Sequence, residues 1–152
     1  MKIPKSKYAF IDGSYNPDTK TYGYGGFLVD WWGIRHILQG SGNDPELAKL
    51  RNVAGEIMGA KAAIQLATDL GLRSLVIFYD YDGIAKWPTK QWKCKNKHTA
   101  RYARFVKDMV IRMKIDITFC HVKSHIGIEG NEIADRLARE AVGLSAIRRK
   151  RS

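Results

Sequence analysis

Residues 8–17 read YAFIDGSYNP. Tyr8, Phe10 and Asp12 share one face and Ala9 and Ile11 the other, which is the two-residue period of a strand. A carboxylate follows the apolar run directly, and Gly13, Ser14, Asn16 and Pro17 carry turn chemistry. The stretch predicts a buried first strand over residues 7–12, ended by Asp12. Taken alone, Asp12 reads as an Asx turn into Gly13 and Ser14. That reading gives way only if other carboxylates meet it.

Working outward, NPDTKTYGYG (16–25) carries turn signals. GGFLVDWW (25–32) and GIRHILQG (33–40) read as two more strands, turning near Trp32 and Gly33, so the chain opens as an antiparallel meander. Residues 41–50 read as a loop with one helical turn. From Asn52 to Leu70 the period changes, and Val53, Ile57, Ala60, Ile64 and Ala67 form one helical stripe. A fourth strand follows over Ser74–Asp80, then a short helix over Gly83–Lys86, a helix over Thr99–Met113 and a fifth strand within IDITFCHVK (115–123). NEIADRLAREAVG (131–143) reads as a last helix with Asn131 as its N-cap. The order βββαβαβα predicts an α/β fold with a five-stranded mixed sheet, strand order 3-2-1-4-5, flanked by helices. Repeats and linkers are absent. One domain is expected over residues 1–147, with a disordered basic tail at 148–152.

The chain of 152 residues is large enough for a real core. No segment reaches the length of a membrane span, and the first residues lack a signal-peptide apolar region. Cys94 and Cys120 have no metal-ligand spacing and read as thiols in a reducing cytoplasm. The net charge of +11 is concentrated. Residues 86–107 hold 8 Lys and Arg with no acid, and RRKRS at the end adds 4. Without those twelve, 14 basic residues face 15 acidic ones. The first cluster, with Lys93, Lys95 and Lys97 and with Trp87, Trp92, Tyr102 and Phe105 between the charges, points to a polyanion, most simply nucleic acid. Exposing tryptophan without a use is costly. The tail reads equally well as a solubilising segment.

Four carboxylates stand where solubility alone does not place them. Asp12 ends the first strand. Glu56 lies beside Ile57 on the apolar helix stripe, where an unpaired carboxylate is expensive. Gly55 and Gly59 flank it, each costing about 1 kcal/mol relative to Ala in a helix, which signals close approach of another element or a ligand. Asp80 ends the fourth strand, and its rival Asp82 is assigned to the turn or to capping the short helix. Asp135 lies in the first turns of the last helix, where the helix dipole alone would favour it. In the expected topology the ends of strands one and four are neighbours, and both helix starts reach the same edge. Carboxylates gathered there need cations, and oxygen ligation suits Mg²⁺ or Mn²⁺ rather than zinc. Two such ions about 3.5–4 Å apart clamp an in-line phosphoryl displacement. His125, in the Gly-rich loop KSHIGIEGNE (123–132), reads as a proton shuttle or an aid to product release. His36, His98 and His121 carry no comparable context.

FIDGSYN, RNVAGEIMGAKAAI, FYDYDGIAKW and VKSHIGIEGNEIADRLAREA, in this order over residues 7–143, resemble the type 1 ribonuclease H family in its compact bacterial or viroplasmin-associated form. The resemblance implies a ribonuclease H-like fold. It also implies hydrolysis of the RNA strand of RNA–DNA hybrids, leaving 5′-phosphate and 3′-hydroxyl ends. It makes Asp12, Glu56, Asp80 and Asp135 the ligands of two Mg²⁺ ions, with Mn²⁺ as a substitute, Asp12 bridging both and Glu132 an auxiliary acid. Gly13, Ser14 and Asn52 would lie near the RNA backbone, and Trp87 with the basic stretch would grip the DNA strand. Arg51 stands where the family often has a small hydroxyl residue at the DNA phosphate, and the basic segment is shorter than the best-known bacterial handle. A cytoplasmic monomer with no small-molecule cofactor, no membrane partner and no separate N-terminal hybrid-binding domain is expected. Two other readings compete. A catalytically inactive nucleic-acid-binding module on the same fold would lack one of the carboxylates. A strand transferase would need further domains.

Overall fold

The computed structural model describes residues 7–122 and 129–145. Strand β1 (Tyr8–Asn16) runs four residues past the carboxylate expected to end it. The reason lies in its two neighbours. On one side β2 (Thr21–Val29) pairs with it antiparallel along its whole length, from Tyr8↔Val29 to Asn16↔Thr21. On the other side β4 (Ser74–Tyr79) pairs with it in parallel only from Tyr8↔Val76 to Phe10↔Phe78. Asp12 therefore lies beyond the end of a ladder, in the middle of a strand. For the same reason β2 begins at Thr21 and takes in residues read from sequence as loop.

Strand β3 (Arg35–Gly42) completes the meander against β2. The turn between them is built on buried Asp30, whose Oδ1 accepts the Trp32 and Ile34 N–H groups at 2.9 and 3.0 Å while Oδ2 meets His36 Nε2 at 3.0 Å. β5 (Asp116–His121) pairs in parallel with β4, from Ser74↔Asp116 to Tyr79↔His121. The sheet order is β3-β2-β1-β4-β5, as the sequence order of elements predicts.

The helices fill the crossovers. In α1 (Pro45–Ala48), Asp44 caps the Glu46 N–H at 3.0 Å and Pro45 occupies the first turn, where no N–H is needed. Long α2 (Asn52–Asp69) covers one face of the sheet, packing Ile57, Ala60 and Ile64 with Ala9, Ile11, Leu28 and Ile77. Short α3 (Gly83–Lys86) leads to α4 (Lys97–Arg112), which begins two residues earlier than its apolar pattern suggests. Asn96 Oδ1 accepts the His98 and Thr99 N–H groups there, both at 2.9 Å. The final helix α5 (Glu129–Ala141) packs Ala134 with Phe10, Phe27, Phe78 and Val122 on the opposite face. Asn131 is its third residue, not its N-cap.

Gly55 and Gly59 answer the question they raised: the close partner is the sheet. A Cβ on Gly55 would overlap the Gly23 carbonyl of β2, which is backbone and has no flexible end to yield. A Cβ on Gly59 would meet Tyr24 Cβ at 3.1 Å, a distance that a small adjustment relieves. Gly55→Ala should therefore cost about 2 kcal/mol or more, whereas in Gly59→Ala the helix-propensity gain of about 1 kcal/mol offsets the crowding. Urea denaturation midpoints check this. Equal midpoints for the two variants would contradict the close approach.

Candidate active site

Asp12 and Asp80 each lie two residues past Phe10↔Phe78, the last pair of the β1–β4 ladder. Beyond it the two strands part, β1 continuing against β2 and β4 giving way to α3. The connections leave these neighbouring strands in opposite directions, so the notch is a topological switch point, the usual place for a site in such sheets. Both helices deliver a carboxylate to it, α2 through Glu56 and α5 through Asp135.

Gly13 sets the approach of α2. A Cβ on it would overlap the Asn52 carbonyl and stand 2.5 Å from the Glu56 nitrogen, so only glycine lets the first turns of α2 lie on β1. Glu56 is then carried into the interior, where it is 2% exposed. Its Oε1 accepts two main-chain hydrogen bonds, from Asp80 N–H at 2.9 Å and Tyr81 N–H at 3.1 Å. Asp12 Oδ1 accepts the Gly13 N–H at 2.9 Å.

The charges of the other three carboxylates act on Asp12, and that of Asp80 acts on Glu56. Burial, then the charges of Glu56 and Asp135, then more weakly Asp80, push Asp12 well above the usual carboxylate range, against the pull of the Gly13 N–H. Burial likewise raises Glu56 to about 7; the two amides oppose the rise and the Asp80 charge adds to it. Among the described residues no Lys or Arg pairs with Asp12, Glu56 or Asp80. Nor are three Asp, Glu, His or Cys side chains among those residues gathered tightly enough to hold an ion as they stand. Glu56 has committed Oε1 to the amides, which leaves Oε2 as its ligand-capable atom.

Asp80 and Asp82 separate clearly. Asp80 contributes to the fields at Asp12 and Glu56. Asp82 turns to Lys86 Nζ at 3.4 Å and to His121 Nε2 at 3.3 Å, and although it precedes α3 its side chain caps no N–H. His121, dismissed from sequence, also places Nε2 2.7 Å from the Asp80 carbonyl. Only the pairing of β5 with β4 brings it there, and no local pattern announces that. Glu132 is exposed, one turn before half-buried Asp135, and His125 lies outside the described residues.

Around the notch, Arg51 and Asn52 are exposed at the head of α2, with Arg51 held at φ 53° and its guanidinium 5.7 Å from the Tyr15 ring centre. Ser14 is buried. Lys93, Lys95 and Lys97 are exposed, as expected of a polyanion-binding segment. Its aromatic residues are not exposed in the same way. Tyr102 is fully buried and donates its hydroxyl to the Ile84 carbonyl at 2.6 Å, while Trp87 is 9% exposed and packs between Tyr81 and Trp92. Two of the four aromatics therefore belong to the core, where α4 needs apolar anchors. Trp92 is the exposed indole of the group, at 37%, and it lines two grooves of about 620 and 480 Å³.

The sequence profile of the family described as RNase H matches residues 4–143. The chain is 34% identical over 121 residues to Ribonuclease H1 of Homo sapiens, a match covering 72% of this chain and 41% of the human protein. It is 32% identical over 142 residues to Ribonuclease H of Maricaulis maris (strain MCS10), covering 86% of this chain and 89% of that protein. The chain thus spans half or less of the mammalian relatives it matches. Among solved structures, LC11-RNase H1, isolated from compost by a metagenomic approach and crystallised in complex with RNA/DNA hybrid, aligns with a TM-score of 0.65 at 15% identity, covering 90% of this chain and 99% of that one. At that identity the likeness is one of fold.

Glu56 makes stability depend on pH in a calculable direction. It releases its proton at about 7 in the folded chain and near 4.5 when unfolded. Between those values Glu56 binds more proton in the folded chain, so its contribution to stability is greatest below pH 4.5 and is lost as pH rises through 7. Asp12 acts in the same direction. In chelator, Glu56→Gln keeps an acceptor for both amides and should be more stable than the parent at pH 8 by on the order of 3 kcal/mol, the difference vanishing at low pH. Denaturation at a series of pH values checks this, and parallel profiles for the two proteins would refute it.

Proposed function

Because the chain belongs to the ribonuclease H family, we propose that it is an endoribonuclease that hydrolyses the RNA strand of RNA–DNA hybrids, with two divalent ions held by Asp12, Glu56, Asp80 and Asp135. The observation that carries this reading is the convergence on one notch of carboxylates from β1, α2, the end of β4 and α5, with Asp12 raised first by burial and then by the charges of the other three. The donor atoms are carboxylate oxygens, which suit Mg²⁺ or Mn²⁺. When bound, such ions neutralise the phosphate and supply a more acidic water for in-line attack.

The chain's own residues do the positioning. The Asp80 and Tyr81 amides fix the Glu56 carboxylate, and the Gly13 amide fixes Asp12. Arg51 and Asn52, beside Gly13 and Ser14, form the side assigned to the hybrid's sugar–phosphate backbone, where 2′-OH contacts separate RNA from DNA. Trp92 with Lys93, Lys95 and Lys97 forms the side assigned to the DNA strand. Trp87 supports that side from beneath. Glu132 is the auxiliary acid and His125 the proton-shuttling group. Cleavage leaves 5′-phosphate and 3′-hydroxyl ends.

A labelled hybrid should be cut in Mg²⁺ or Mn²⁺, while single-stranded RNA, duplex RNA and duplex DNA survive. Asp12→Asn should lower the rate at least about 100-fold and retain hybrid binding. An uncut hybrid, with protein shown to be folded, sinks the assignment; equal behaviour of mutant and parent leaves a binding module. The exposed lysines make a second expectation. Hybrid affinity should fall with salt, and replacing Lys93, Lys95 and Lys97 by Ala should reduce the log–log slope by up to about 3. An unchanged slope would place the phosphate contacts elsewhere.

A further inference from the structure

We propose that His121 is a positioning residue for Asp80, supplying from β5 the hydrogen bond that holds this carboxylate's main chain in place. The inference rests on the ribonuclease reading above. The last parallel pair of the β4–β5 ladder is Tyr79↔His121, and the Val122 N–H closes it on the Tyr79 carbonyl at 2.7 Å. Asp80 comes next and has no strand partner among the described residues, because the ladder with β1 has already ended at Phe78. Main-chain polar groups left unpaired at such a place cost free energy and let the chain wander.

Two side chains replace the missing ladder. Glu56 Oε1 takes the Asp80 N–H at 2.9 Å, and His121 Nε2 sits 2.7 Å from the Asp80 carbonyl. A carbonyl only accepts, so the imidazole carries its proton on Nε2 and donates. The same nitrogen lies 3.3 Å from Asp82 Oδ1, which steadies the ring together with the edge contact of Tyr79 at 5.5 Å. Both peptide groups of Asp80 are thus held, the one before it by Glu56 and the one after it by Glu56 at the Tyr81 N–H and by His121 at the Asp80 carbonyl. His121 is the partner from β5 in this set, and these bonds together limit the backbone freedom from which the Asp80 carboxylate is aimed. His121 touches no reacting atom in this scheme. It acts through Asp80, as an outer partner that orients a ligand.

The test compares His121→Ala with His121→Gln, whose amide keeps a donor. His121→Ala should weaken Mn²⁺ binding, measured calorimetrically without nucleic acid, by about 10-fold or more. It should raise the Mn²⁺ concentration for half-maximal hybrid cleavage by the same factor and leave the hybrid KM unchanged. His121→Gln should restore most of both. A folded Ala variant with parental Mn²⁺ affinity overturns the inference and leaves the ribonuclease reading standing. So does a loss that Gln fails to repair, or one that appears only as a lowered Tm, since that marks general packing. Parental protein that binds no Mn²⁺ and cuts no hybrid overturns both.

Discussion

The Glu56 carboxylate holds the amides of Asp80 and Tyr81, and the geometry of the notch depends on that grip. Taking a carboxylate out of water costs several kcal/mol, and two hydrogen bonds to a charged acceptor return part of it. The return is incomplete, because Glu56 still titrates near 7. An apolar side chain in its place would avoid the charge but leave two buried amides unpaired. Glu56 is therefore a structural fastener between α2 and the end of β4 and, at the same time, an acid under electrostatic tension. A divalent cation would relieve the tension without loosening the fastener, since the amides occupy only Oε1.

The grip works only because α2 lies unusually close to the sheet. Gly55 admits the Gly23 carbonyl, and Gly13 admits the first turns of α2. The same sheet presents its opposite face to α5 through the stacked rings of Phe10 and Phe78, 4.5 Å apart. Asp12 follows the parity of Phe10, so it starts from the α5 side and yet feels Glu56 of the α2 side strongly. That is possible only where the sheet is split. Past Phe10↔Phe78 there is no β4 partner to separate the two layers, and charges from both faces act across the gap.

This explains which parts of the molecule were legible in the sequence. The change from two-residue to helical period, the Gly stops and the crossover rules lead to the correct strand order. A glutamate on an apolar stripe between two glycines marks a special site because its local cost has no local return. Residues whose role is set by distant partners stay silent. His121 looks like any strand-end histidine until β5 is laid beside β4. Asp12 looks like a strand end because sequence cannot show that one ladder stops while the other continues. Trp87 and Tyr102 sit among eight cations and look like a nucleic-acid face, but Tyr102 anchors α4 to the core and Trp87 buries the end of α3 in it. Asn131 looks like a cap because α5 begins two residues earlier, with Glu129 and Glu132 already favouring its N-terminal end.

The arrangement of charge adds a final constraint. The chain carries +11 overall, but its notch is acidic and its cations are concentrated beyond Tyr81, in the segment from Lys86 to Lys107. On the proposed reading a polyanion would be drawn to the protein by that segment and repelled by the notch. Tyr81 joins the regions physically: its N–H is held by Glu56, and its ring lies 6.0 Å from Trp92, against which Lys86 packs at 5.2 Å. The turn that aims Asp80 therefore also carries the first aromatic contact of the basic segment. On the proposed reading, nucleic acid bound along the lysines would lie next to the notch, and a phosphate would enter the notch only with cations that reverse its sign. Affinity and reactivity would in this way be governed by two different charges, one built into the chain and one supplied from solution.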